Sequence, residues 1–202
     1  MLTKAEFAER LKNACLTVIA AEQELTEIDA KFGDADHGFT MAKVCHAIIA
    51  AIEESDGGIQ TLLDDAAMAV MAINGGSAVP LWNTWLDGMQ EGAPEADQID
   101  VAGIQALFAR AFEELDEMSG AKVGDKTMMD ALIPASEAIA AYEGSSEAEL
   151  FILAAAAAAA GAENSKNFPS KFGRAKSYGA KTIGTPDAGA MSMSKFFEGL
   201  AK

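Results

Sequence analysis

The chain has 202 residues, half of them hydrophobic, and a formal charge of −16, which excludes a disordered chain and reads most simply as one domain with a substantial core. The acidic balance argues against a nucleic-acid partner, because a phosphate backbone calls for clustered Lys and Arg. The opening, "MLTKAEFAERLKNAC", carries charges throughout, and the most apolar stretch, Leu150 to Ala162, is thirteen residues long against the roughly twenty of a membrane span, so a soluble cytoplasmic protein with no membrane association is expected.

In chain order, Phe7, Leu11, Ala14, Cys15, Val18 and Ile19 recur at helical spacing and predict a first helix, which the break "DAKFGDADHG" at 29–38 follows. Met41, Val44, Cys45, Ile48, Ile49 and Ile52 predict a second, ended by "SDGG" at 55–58. Further helices are expected near 59–73, 80–91, 100–119, 126–143, 146–163 and 188–201, eight in all, and strand signal is weak throughout. Between them lie "NGGSAVP" at 74–80, "EGAPEAD" at 91–97, "SGAKVGDKT" at 119–127 and a long break at 164–189. Breaks longer than about twelve to fifteen residues are usually functional or disordered. The alanine run Ala154 to Ala160 reads as a closely packed helix. Cys15 and Cys45 sit on apolar faces without a CxxC pair and read as core residues.

The charge is unevenly spread. No Lys or Arg occurs from Val44 to Ala109, whereas Lys166, Lys171, Arg174, Lys176 and Lys181 fall in a stretch free of acids from Asn164 to Pro186. One basic loop on an acidic body points to a small anion or a specific partner.

Asp29, Asp34 and Asp36 gather around one break. Three carboxylates facing one point repel one another, so convergence calls for a cation. Calcium in an EF-hand is disfavoured, since the required glycine falls at Phe39 and the twelfth position is Cys45. Zinc wants more His or Cys than His37 supplies. Magnesium, with few carboxylates and phosphate oxygens, fits best. The alternative is that the aspartates merely cap the next helix. Against it, "NGGSAVP" and "GDKT" each lead into a helix and offer backbone N–H groups to an anion, the former at Pro80, although neither is a Walker loop. No G-x-S-x-G occurs, and His46 lies mid-helix where a structural role is expected.

Taken in order, "DAKFGDADHGFTM", "NGGSAVPLWNTW", "GAKVGDKTMMDALIPA" and "GRAKSYGAKTIGTPDAG" resemble the nucleotide-binding L subunit of dihydroxyacetone kinases. The resemblance runs from Asp29 to the final helix. It implies that residues 1–202 form one all-α domain, a barrel of eight antiparallel helices with nucleotide and two Mg²⁺ ions at one rim. By the same resemblance Asp29, Asp34 and Asp36 match the metal ligands. His37, Gly38, Phe39 and Thr40 match the adjoining nucleotide contacts, Ser77 and Ala78 those of the second element, and Gly120 and Met128 those flanking "GDKT". Arg174, Asp187, Ala188 and Gly189 match contacts of the long loop, with Arg174 stabilising charge on the transferred phosphate.

The implied activity is transfer of phosphate from an Mg²⁺-bound nucleotide (ADP/ATP as cofactor) to dihydroxyacetone, or a related ketose, held on a separate K subunit. A phosphohistidine M subunit of the phosphotransferase system would rephosphorylate a retained ADP; the alternatives are an ATP-exchanging subunit for another short-chain ketose and a non-catalytic nucleotide-binding relative. A homodimer is compatible with all three. The second element departs from the family's usual GGASG, with Val79 where glycine is expected, which predicts a loop of altered shape whose Val79→Gly change moves affinity more than stability. Thr40 stands for the usual asparagine and "PDAG" for D-P-G.

Overall fold

The structure is a computed structural model and describes all 202 residues. It is all-helical, with nine α-helices: α1 (Lys4–Ala20), α2 (Glu22–Asp29), α3 (His37–Glu54), α4 (Ile59–Met71), α5 (Ala78–Gly92), α6 (Val101–Ser119), α7 (Met129–Ala140), α8 (Glu147–Asn164) and α9 (Ala188–Leu200). The only sheet is a two-residue antiparallel pair, β1 (Leu2–Thr3) and β2 (Gln98–Ile99). No helix is long and apolar enough to cross a membrane.

Helix boundaries follow local chemistry. Thr3 and Glu6 form a capping box at the start of α1, Asp100 caps α6 through the Gly103 N–H, and α6 ends at Gly120 in the left-handed conformation. Each such cap satisfies amides or carbonyls that a helix end leaves without partners. The helices then succeed one another around the core: α1 packs on α3, α3 on α4, and so on through α9, which returns to α1.

The core is a single cluster of 47 buried residues. At its centre Trp82 and Trp85 from α5 meet Phe196 from α9, with ring centroids 5.2 and 5.4 Å apart and edge-to-face geometry, pairs worth about 0.5–1.5 kcal/mol each beyond burial. The alanine run behaves as expected. Ala154, Ala158 and Ala162 are buried at four-residue spacing, and a Cβ at Gly161 would collide with the Asp130 carbonyl of α7, so α8 lies close to its neighbour.

Three features differ from the sequence reading. The first helical stretch is broken near Ala21, and α2 follows it; only Leu25 of α2 is buried, so no apolar periodicity marks it. The helix expected at 126–143 spans only Met129–Ala140, because Lys126 adopts a φ of 61° that a right-handed helix does not admit. The long break contains two 3-10 stretches, Ser165–Asn167 and Arg174–Thr182, the second kinked at Gly179.

Candidate functional site

The aspartate turn is built by α2, which ends on Asp29, and by the seven-residue return, 30 to 36, into α3. The Gly33 N–H donates to the Asp29 carbonyl at 2.6 Å. A Cβ on Gly33 would collide with Asp29 Oδ1, so glycine is what lets this carboxylate fold back over the turn. Ala35 takes a φ of 61° between the other two aspartates, a conformation costing a side-chain-bearing residue about 1–3 kcal/mol. The result is that Asp29, Asp34 and Asp36 bring ligand oxygens within 4.8 Å of one another.

Of the three aspartates, the one that meets the start of α3 is Asp29. Asp36 occupies the N-cap position of α3 but makes no capping hydrogen bond with its side chain. Asp29 Oδ2 instead accepts from the Asp36 N–H at 3.1 Å and the His37 N–H at 3.4 Å. Burial, and then the negative charges of Asp34 and Asp29, push the Asp36 carboxyl up from its ordinary value, with Arg174 opposing. Arg174 has no acid near it in sequence, yet its Nη1 lies 2.7 Å from Asp34 Oδ2. The basic loop and the acidic turn therefore meet in space.

Beside the turn opens a cavity of about 460 Å³. Its walls include Asp29, Asp34, Asp36, His37 and Thr40 from the turn and α3, Ser77 and Ala78 at the start of α5, and Met128 before α7. Arg174, Asp187, Ala188 and Gly189 close the far side. The N-termini of α3, α5 and α9 thus border one space, which favours an anion through their dipoles. A second hollow of about 390 Å³, between α1, α2 and α9, is lined by Glu24, Lys195, Glu198 and Lys202, whose charges pair among themselves.

Three expected contact residues lie off the cavity wall. Gly38 is buried beneath α2, where a Cβ would collide with the Glu22 carbonyl and Thr26, so it serves helix packing. Phe39 faces solvent with the Lys43 ammonium 4.2 Å above its ring. Gly120 ends α6, and a Cβ there would meet nothing within 4 Å.

His37 joins two helix starts. Ser192 Oγ donates to the Gly189 carbonyl at 2.9 Å, which leaves the hydroxyl oxygen, 3.1 Å from His37 Nε2, to accept from the imidazole. Burial holds the His37 imidazole below its ordinary pKa, against the pull of Asp29 and the Ala188 carbonyl, so the ring is neutral near pH 7. Asp187 caps α9 by accepting from the Ala190 N–H at 2.8 Å. Burial pushes its carboxyl up to about 7.

Two loops behave differently from the sequence expectation. The "GDKT" amides do not face the cavity as an anion cradle. Gly124 and Thr127 donate their N–H groups to the Asp130 carboxylate at 2.7 and 2.8 Å, turning the loop inward on a buried acid. In the second element, α5 begins at Ala78 rather than Pro80, and Val79 is a helical residue, 5 % exposed, within the core cluster. No residue from 74 to 79 has a positive φ, so valine imposes no strain there. Sequence reasoning missed Gly33 and Lys126, both on the cavity wall; the signal for each was its place inside a quoted motif, without a chemical role attached.

Comparison with known proteins gives the same direction. Residues 31–202 match the family described as DAK2 domain. A D-erythrulose kinase from Mycolicibacterium smegmatis is 35 % identical over 179 residues, covering 86 % of this chain and 31 % of that protein. The chain spans about a third of the length of such relatives. The PEP-dependent dihydroxyacetone kinase, ADP-binding subunit DhaL, from Escherichia coli is 27 % identical over 194 residues, covering 93 % of this chain and 91 % of that one. Among solved structures, the dihydroxyacetone kinase from C. freundii in complex with AMP-PNP and Mg²⁺ superposes with a TM-score of 0.72 at 25 % identity, over 98 % of this chain and 33 % of that one.

Proposed function

The chain belongs to the DAK2 domain family, and from that membership we propose that it is the nucleotide-binding, phosphoryl-transfer component of a kinase for dihydroxyacetone or a related short-chain ketose. The observation that carries this reading is the convergence of Asp29, Asp34 and Asp36 within 4.8 Å, beside a cavity bordered by three helix N-termini and Arg174. In this proposal residues 1–202 act as one domain, and the succession of α1 and α3 to α9 closes as a barrel of eight antiparallel helices, with α2 carrying Asp29 to its rim.

The donor set suits magnesium. Three carboxylates offer only hard oxygen ligands, and no thiol or imidazole converges with them. Asp29, Asp34 and Asp36 would hold the ions, two by family resemblance, and Mg²⁺ bound there would supply positive charge against the negative phosphates. The chain's own residues do the rest. The amides at the starts of α5 and α9 orient phosphate, Arg174 reaches the transferred group with a fixed fork of donors, and neutral His37 fixes the two helix starts relative to each other through Ser192. Asp29 ties the turn to α3.

The acceptor sugar belongs to a separate K-type component. A phosphohistidine protein that recharges a retained ADP is the expected donor, in line with the name of the Escherichia coli relative. Greater identity to the erythrulose kinases, 35 % against 27 %, favours a second reading, an ATP-exchanging component for another short-chain ketose. A cytoplasmic location is part of the proposal.

Calorimetry of ADP binding with and without Mg²⁺, in the natural chain and in Asp34→Ala, tests the reading. We expect Mg²⁺-dependent binding that the substitution abolishes while the helical signal persists. Binding indifferent to both Mg²⁺ and Asp34 would overturn it, and ADP retained through native purification would select the coenzyme route over ATP exchange.

A further inference from the structure

The loop between α8 and α9 carries Arg174 at its far side, and Arg174 is 69 % exposed with Asp34 as its ion-pair partner. With the guanidinium so exposed, its place depends on the path of the loop, which the edge-to-face contact of Tyr178 with Phe32, ring centroids 5.3 Å apart, also draws toward the aspartate turn. The base of that loop is gathered on one side chain. Lys126 is 4 % exposed, and its ammonium donates to the carbonyls of Ser165 at 2.9 Å, Phe168 at 3.2 Å and Thr185 at 2.5 Å. These acceptors are the entry, the first bend and the exit of a single loop.

The side chain reaches this point because Lys126 takes a φ of 61°, which lysine rarely adopts, in a turn that Asp130 secures through the amides of Gly124 and Thr127. Its neighbour Asp125 grips the same loop from outside, accepting from the Lys171 ammonium at 2.6 Å and, through its carbonyl, from the Lys171 N–H at 3.1 Å. Direct links between the two arms of the loop are the Gly184 N–H to the Lys166 carbonyl at 2.8 Å, the Asp187 N–H to Ser165 Oγ at 2.9 Å and the Ser170 N–H to Thr182 Oγ1 at 2.9 Å.

We infer that Lys126 is a positioning residue for phosphoryl transfer, a buried ammonium that pins the α8–α9 loop and thereby sets Arg174 and the start of α9 against the aspartate turn. The inference rests on the phosphoryl-transfer reading above. A lysine ammonium has three protons, and all three are used on carbonyls. Lys126 lines the cavity yet has no donor left for a phosphate, so it acts through Arg174 rather than on the nucleotide.

The test combines hydrogen exchange with a double-mutant cycle on the full chain, using Lys126→Met, Arg174→Met and the pair. Lys126→Gln, which keeps two N–H donors, replaces Lys126→Met in every measurement if the latter does not fold. Amides of residues 165–187 should exchange at least about tenfold faster in the Lys126 variant while α1 to α8 keep their protection. Affinity for ADP with Mg²⁺ should fall at least as far as in Arg174→Met, and the double variant should bind no more weakly than the Lys126 variant alone, the non-additivity of residues acting as one unit. Unchanged exchange in 165–187, loosening spread over all helices, or losses that multiply in the double variant would each overturn the inference. A natural chain that binds no nucleotide would defeat the functional reading instead, and the exchange measurement would still decide whether Lys126 pins the loop.

Discussion

Arg174 Nη1 and Asp34 Oδ2 lie 2.7 Å apart and join the one basic loop of an acidic protein to its carboxylate turn. Both side chains are well exposed, 69 % and 37 %, and an exposed ion pair of this kind contributes roughly 0–1 kcal/mol. Its importance lies in where it puts the guanidinium. Arg174→Lys should therefore melt like the natural protein while slowing single-turnover transfer from nucleotide by about 10²–10³-fold, the usual cost of losing a donor aimed at transition-state charge. A normal transfer rate would remove Arg174 from the mechanism, and a collapsed melt would make it a structural residue.

Gly33 should be as important as the aspartates it accommodates. In Gly33→Ala the new methyl group takes the space of the Asp29 carboxylate, which can swing aside because it ends a flexible side chain. The fold should survive. Mg²⁺-dependent ADP affinity should weaken by about 10–100-fold, the range seen when a ligand loses its orienting contact. Calorimetry beside a melting curve reads both effects, and undiminished affinity would show that Asp29 finds the ion from another rotamer.

Val79 lies in the first turn of α5 with its side chain in the core. Val79→Gly removes that burial and places glycine in a helix, together about 2–4 kcal/mol of stability. Urea unfolding should show the loss, whereas nucleotide affinity should stay within a few-fold. This reverses the order expected from the family's glycine-rich loop, and a large affinity change at constant stability would restore that expectation.

Asp187 supplies a pH dependence. Its carboxyl is held near 7 in the folded chain against an ordinary 3.8, so between about pH 4 and 7 the folded state keeps a proton that the unfolded state has released. Stability contributed by this group is accordingly lost as pH rises through that window, by at most about 1.4 kcal/mol per pH unit, and is level above it. Asp187→Asn keeps an oxygen to cap Ala190 and removes the titration. Denaturant unfolding at pH 5 and pH 8 should show the variant gaining about 1–3 kcal/mol on the natural protein across the interval; parallel curves would place the carboxyl's pKa in the ordinary range.

Local sequence was enough to define the helices that bury a continuous apolar face, the two charge-bearing breaks and the family resemblance. Apolar spacing and glycine or proline punctuation are local properties, and α1 and α3 to α9 each bury enough regularly spaced side chains to show them. With Leu25 alone buried, α2 lacks such a pattern and became visible only as a helix leaned against α3. The choice of hydrogen-bond partners was also beyond local reading. That Asp29 rather than Asp36 meets the amides of α3, that the "GDKT" amides turn in to Asp130, and that Lys126 is spent on three carbonyls of a distant loop all follow from which segments the closed fold brings together. A buried amide or ammonium must find an acceptor among whatever lies beside it, and only the tertiary structure decides what that is.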